Sequence, residues 1–308
     1  MQNWQTEDDE SRHDPPASEA SWLGRELGEA RGGEHEAEMP QRVVAVPPWI
    51  LERLPFILFV LTCATTLDLG GPLYSLGLMS ILLFHEAGHY LQARRYGVPT
   101  TLPYFLPLPG MVSPFGTLGA VLAMRSGAAQ NRALFDIAVS GPLAGLVPAL
   151  TATFVGLHWS EVVPAESGSG TTLGVPLVFR WAAEWLVVRP EGYAIVPHPL
   201  AYAGWVGLLV TALNLFPVGQ LDGGHILFAL APRWAHRISR LVVAGAWLWM
   251  LHQQYWIWTV MLLLLGLMGL RHPPVRPGGE PIGWGRRILG WVTLASILLI
   301  FTPRPFEF

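Results

Sequence analysis

From Leu73 to Phe84 the chain runs twelve residues without a charge, and His85-Glu86-Ala87-Gly88-His89 follows directly, ahead of Tyr90-Leu91. An apolar run of this kind predicts a helix at membrane depth, where every backbone polar group must be satisfied within the segment. Ionisable groups are costly there, so three within about one turn must face a protein interior or a cavity and point to function. Residues four apart share a helix face, so His85 and His89 can offer both imidazoles to one metal ion. Glu86 is then placed to reach a water on that ion. A solvated helix face is the plain alternative for such a pentapeptide, and no such face is evident here. A purely structural His-Glu-His cluster would need partners for every polar atom.

The rest of the chain agrees with a membrane setting. Of 308 residues, 51% are hydrophobic and 13% charged, against about 25% charged in a typical soluble domain. This composition and several apolar runs predict an all-α polytopic membrane protein and exclude a soluble metallopeptidase. Cys63 is the single cysteine, so neither an internal disulfide nor a cysteine-based zinc site is possible. Residues 1–41 hold half of the acidic residues, with much Ser, Gly and Pro. They predict an acidic disordered tail without the basic and apolar regions of a signal peptide.

Apolar segments are expected at about Pro55–Leu69, Leu73–Tyr90, Leu134–Leu157 and Tyr202–Leu230, the last interrupted at Pro217. Two more are expected at Leu241–Leu251 and Trp256–Leu270, and a last one at Ile288–Phe301. That makes six or seven transmembrane helices. The stretch 101–121 is apolar but broken by Pro and Gly, which predicts a re-entrant loop with short strands. An extended substrate segment could pair with it by strand addition, with Gly116, Thr117 and Gly119 as the candidate contacts. Pro176–Val188, with Trp181 and Trp185, is expected to lie along the membrane interface. Asp136 is expected to pair with Arg132, one helical turn away.

Arginines flank the metal motif (Arg94, Arg95) and recur at Arg125, Arg132, Arg233, Arg237, Arg240, Arg271, Arg276, Arg286 and Arg287. Loop 158–199 instead carries more acidic than basic residues. The positive-inside rule then puts the N-terminus and the metal motif on the cytoplasmic side. A multi-pass protein of a bacterial inner membrane is the expected location.

Zinc hydrolases usually use three protein ligands and leave one position for water. The best third donor is Asp222, in Asn214-Leu215-Phe216-Pro217-Val218-Gly219-Gln220-Leu221-Asp222-Gly223-Gly224-His225. It is the one acidic residue of its apolar span. An Asp-Gly-Gly elsewhere would read as a turn, but a carboxylate within an apolar span needs a cation or a proton. His225, three residues from Asp222, is a candidate to orient the ligands from behind. Asn214 reads equally well as a catalytic amide or as an ordinary interhelical hydrogen bond.

These paired motifs resemble the site-2 protease family of intramembrane zinc metalloproteases. Ser140-Gly141-Pro142 between them is also similar, and Phe115-Gly116-Thr117-Leu118-Gly119-Ala120 is similar to the branch of the ethylene-dependent gravitropism-deficient proteins. The resemblance covers about residues 55–230. It implies one zinc ion per chain on His85, His89 and Asp222, with Glu86 as general base and acid. It implies that Asn214 steadies the reacting peptide and that the substrates are transmembrane segments of other proteins.

The expected organisation is a tail over 1–41, a metalloprotease core over 42–235 and additional transmembrane helices over 236–308. Lipid is the expected surrounding and nucleic acid is not expected as a partner. Loop 158–199 is too short for a PDZ domain of the kind many bacterial relatives insert, so no PDZ-mediated partner is expected. The competing readings are a catalytically idle chaperone or scaffold of the same fold, and a metal transporter. An intact Glu86 weighs against the first, and the lack of an internal repeat against the second.

Overall fold

Two successive apolar segments joined by Gly70-Gly71-Pro72 can form either one long helix or a reversal, and the computed structural model resolves the choice. A helical run spans Pro48–Arg95 (α1), but Gly71 inside it takes φ 77° and ψ −177°. Pro72 follows, where its missing N–H costs a new helix nothing. Across this break the Ser75 hydroxyl lies 2.8 Å from that of Thr66 and 3.3 Å from the Cys63 carbonyl. Residues twelve apart in a straight helix would be separated by about 18 Å. The chain therefore doubles back at Gly71, and α1 consists of two arms.

The structure describes residues 48–308 except 125–126, 166–171, 269–274, 277, 279 and 308. The tail expected over 1–41 lies outside the described residues. Among those described, Glu52–Arg95 and Asn131–His158 are the two helices long and apolar enough to cross a membrane.

The second arm of α1 packs with α2 (Asn131–His158) and with α4 (Pro199–Asn214); a short helix, α3 (Leu177–Leu186), lies between the last two in sequence. Within a bilayer such packing depends on close van der Waals approach, which small residues allow. At Gly156 an added Cβ would stand 2.1 Å from the Ala201 backbone nitrogen, and at Gly204 2.6 Å from that of Thr153. Tyr74, Leu78, Ile81, Phe135, Ala149, Trp205 and Leu208 fill the core between these helices.

The Pro/Gly-broken stretch folds as an antiparallel pair, β1 (Tyr104–Pro107) with β2 (Thr117–Val121), irregular between Phe105 and Pro107. Gly116 and Gly119 adopt φ of 75° and 101°, a region side chains rarely enter. The loop is fastened to the first arm of α1: Thr65 Oγ1 donates to the Gly116 carbonyl at 2.7 Å, and Phe59 meets Phe105 edge to face.

An all-α description needs amending beyond this loop. Strands β3 (Glu161–Pro164) and β5 (Tyr193–Val196) pair, as do β4 (Thr172–Leu173) and β6 (Phe306–Glu307). These pairs satisfy the backbone of the connection between α2 and α4, which is too polar and Gly-rich to continue either helix. α3 within it turns Phe179 and Ala182 inward, while Trp181 and Trp185 are 52% and 80% exposed.

After Asn214 the helix breaks and resumes as α5 (Asp222–Leu230), followed by α6 (Pro232–Gln253). α6 begins nine residues before the apolar segment expected at Leu241. Its first turns carry arginines and Pro232 occupies a favourable starting position, so hydropathy alone missed them. A short 3₁₀ turn (Trp256–Trp258) leads to α7 (Thr259–Met268); α8 (Trp284–Ala295) and α9 (Ile297–Ile300) close the chain.

The expected Asp136–Arg132 pair does not form. Asp136 instead accepts two bonds from Arg286, at 2.7 and 2.9 Å, and one from the Tyr96 hydroxyl, while Arg132 pairs with Glu280. A planar guanidinium that reaches both carboxylate oxygens outcompetes the local partner.

Candidate metal centre

His85 and His89 sit one turn apart near the C-terminal end of α1, buried to 3% and 8% exposure, with Glu86 between them at 5%. Their placement follows from helix geometry. Their orientation comes from α2, which crosses them with glycines in register. Gly141 faces the His89 ring so closely that a Cβ there would lie 2.1 Å from Nε2. Gly145, one turn on, faces His85, with its virtual Cβ 3.0 Å from the His85 Cβ. Between them Gly88 lies against the Ser140 backbone, and the Ser140 hydroxyl donates to the Gly88 carbonyl at 2.9 Å. The two histidines and the two glycines share a spacing of four, so two helix faces mesh with rings in notches.

Asp222 arrives from the other side, at the first position of α5. The chain reaches it through Pro217 and Gly219, the latter at φ 53°. Gly223 and Gly224 then pass directly under the carbonyls of Leu215 and Gly219, where a Cβ would lie 1.8 and 2.5 Å from oxygen. Ser239 Oγ on α6 donates to the Pro217 carbonyl at 2.9 Å and ties down the break.

The result is a tight convergence of donor atoms. Asp222 Oδ2 is 3.2 Å from Nε2 of both His85 and His89, and the two Nε2 atoms are 3.1 Å apart. On a tetrahedral zinc ion with bonds of about 2.0–2.1 Å, two donors stand about 3.3 Å apart. His89 Nδ1 donates to the Ile137 carbonyl at 2.8 Å, which leaves Nε2 with its lone pair in the neutral ring. That lone pair faces a carboxylate oxygen and a second imidazole nitrogen. Three such acceptors crowded together repel one another unless a cation lies between them, so the residues present fit a metal ion.

Asn214, the last residue of α4, brings its side-chain Nδ2 to 3.4 Å from His85 Nε2. Its amide is therefore at the same cluster and not merely between helices. Asp222 is half-buried and Gln220 beside it is exposed, which makes this the open side of the site. The loop candidates are arranged differently. Thr117 is 1% exposed, and its hydroxyl donates to the Leu106 carbonyl at 2.9 Å and accepts from the Gly119 N–H at 3.0 Å. Gly116 lies against Thr65 and Thr66 of α1. Reading by residue type had no means to find the Ile137 carbonyl, a backbone atom. Gly145 was visible only as a small residue, its match to the His85 spacing being the available signal.

The chain matches Peptidase family M50 over residues 73–252, more than half its length. It is 37% identical over 160 residues to the probable zinc metalloprotease EGY1, chloroplastic, of Oryza sativa subsp. japonica, covering 49% of this chain and 26% of the relative. It is 29% identical over 239 residues to the probable zinc metalloprotease EGY2, chloroplastic, of Arabidopsis thaliana, covering 74% of this chain and 41% of the relative. The chain thus spans about a quarter to two fifths of the length of these relatives. The expected bacterial inner membrane is corrected by them: both are chloroplastic plant proteins, not bacterial ones. With its paired motifs and this match across both, the chain belongs to peptidase family M50.

Proposed function

We propose that this protein is a zinc-dependent endopeptidase that hydrolyses transmembrane segments of other proteins within a chloroplast membrane. The observation that carries the reading is the convergence of His85, His89 and Asp222 to 3.1–3.2 Å with the buried Glu86 alongside. One zinc ion per chain is held by those three side chains. When bound, zinc supplies Lewis acidity, making a water molecule acidic near neutral pH and polarising the scissile carbonyl.

Glu86 takes the proton of the attacking water and returns it to the leaving amide nitrogen, which keeps the proton count balanced through the cycle. The Asn214 amide donates toward the oxygen on which negative charge develops. The α2 glycines hold both imidazoles in place, and burial keeps bulk water from all but the Asp222 side. A helical substrate must unwind to expose its peptide bonds, and the free edges of the β1–β2 pair offer backbone groups to an extended segment. Gly116, Thr117 and Gly119 act in this reading by shaping that pair.

The architecture proposed with this function has six or seven helical crossings. The candidates are the two arms of α1, α2, the broken α4–α5 unit, α6, α7, and α8 with α9. The proteolytic core is assigned to residues 42–235, with additional helices over 236–308.

Glu86→Gln tests the reading. Cleavage of a transmembrane substrate by the reconstituted protein should fall by about a thousandfold while zinc content holds. Unchanged cleavage would sink the peptidase reading in favour of a catalytically idle scaffold.

A further inference from the structure

At the end of α6 farthest from Arg233 and Arg237, two cavities share Trp249 and Pro303 as a common wall. One, of about 320 Å³, is polar and bounded by Gly174, Gln253, Thr302 and Arg304. The other, of about 310 Å³, is apolar and lies among Phe216, Val242, Ala246, Met261 and Phe301. Each reaches the lower end of the range for small-ligand sites, about 300–1,000 Å³.

The depth of the pair follows from α6 itself. Its 22 residues span about 33 Å, close to the roughly 30 Å of a hydrocarbon core. In the proposed arrangement, in which α6 crosses the bilayer, Gln253, its last residue, lies at the opposite face from the arginines of its first turns. Aromatic side chains fasten the C-terminal segment there. Trp258 Nε1 donates to the Pro303 carbonyl at 2.8 Å, and the Tyr255 hydroxyl donates to that of Phe306 at 2.7 Å. This holds Arg304 at the mouth of the polar cavity. Its guanidinium donates to Gln253 Oε1, a neutral acceptor, and it has no carboxylate partner among the described residues.

A permanent cation at the bilayer face above an apolar groove is complemented by one kind of molecule. A free phosphate would leave the groove unfilled, and a neutral lipid would leave Arg304 without a counter-ion. A peptide helix about 10–12 Å across does not enter a cavity of about 310 Å³. We propose that the joined cavities bind one anionic glycerophospholipid. Its phosphate rests on Arg304 and the Gln253 amide nitrogen, and one acyl chain lies between α6 and α7 and ends against Phe216. Binding here is independent of the peptidase reading, because none of the three metal-site donors lines either cavity.

The test is native mass spectrometry of the full chain in detergent, offered equal amounts of phosphatidylglycerol and phosphatidylcholine with the same acyl chains. Loss of a charge-assisted contact corresponds to about a tenfold change. The wild type should retain phosphatidylglycerol about tenfold over phosphatidylcholine. Arg304→Gln should erase the preference, and Ala246→Trp should lower retention of both. Millimolar inorganic phosphate should not displace the lipid; displacement would mean a free-anion site and would overturn the proposal. So would equal retention by the wild type, or a preference that survives Arg304→Gln. Should either variant fail to elute as a single folded species, photo-crosslinking the wild type with acyl-diazirine phosphatidylglycerol decides the matter. Labels at Phe216, Trp249 or Met261 are expected, and labelling only elsewhere would overturn it.

Discussion

The two halves of the candidate metal site are built by opposite means. His85, Glu86 and His89 stand on an uninterrupted helical turn, where periodicity alone puts both rings on one face. Asn214 and Asp222 stand either side of a break, where Pro217, Gly219, Gly223 and Gly224 shape a path no regular element could follow. The helical half needs its neighbour to leave room for rings. The broken half needs its own chain to leave room for backbone. In both, the deciding feature is a missing Cβ, but in the first it lies on another helix and in the second on the same strand of chain.

This contrast predicts a graded series. Gly223→Ala drives a Cβ to 1.8 Å from the Leu215 carbonyl oxygen, backbone against backbone. A loss of about 3 kcal/mol or more is expected, seen as aggregation or a collapsed melting transition. A well-folded Gly223→Ala protein would break the account of the broken half. Gly141→Ala meets an imidazole 2.1 Å away, which has to shift. Zinc affinity measured by chelator competition should drop about 100-fold with the fold retained. Gly145→Ala, at 3.0 Å from the His85 Cβ, should cost at most about tenfold in the same assay. Equal effects at both glycines would show that α2 does not act through individual ring contacts. The smallest change is Ser239→Ala, which removes one bond to the Pro217 carbonyl. About 1 kcal/mol of stability should be lost on thermal unfolding, with zinc affinity nearly unaltered.

The same contrast explains what could be read from residues alone. The histidine pair and Glu86 were legible because their relation is local. Asp222 was legible because a lone carboxylate in an apolar span demands a partner, although its approach to the histidines depends on the α5 start and could not be computed from spacing. Ser140-Gly141-Pro142 read only as a place of close approach. Which side chains approached it, and in what register, depended on how α2 crosses α1. Asp136 shows the limit plainly: the arginine four residues before it lost to Arg286, 150 residues later. Short strands in the stretch 101–121 are legible from its Pro and Gly. The sheets formed by β3 with β5 and β4 with β6 are not, because each joins segments far apart in the chain.

One contact has an evolutionary corollary. The atom that accepts the hydrogen bond from His89 Nδ1–H is the main-chain carbonyl oxygen of Ile137, which also accepts one from the Ser140 hydroxyl at 2.7 Å. Every amino acid carries that oxygen. Position 137 can therefore drift in side chain without releasing the ring, and mutation cannot delete the acceptor as it could a carboxylate. The choice of nitrogen that faces Asp222 and His85 is thus inherited with the path of the helix and not with any particular codon.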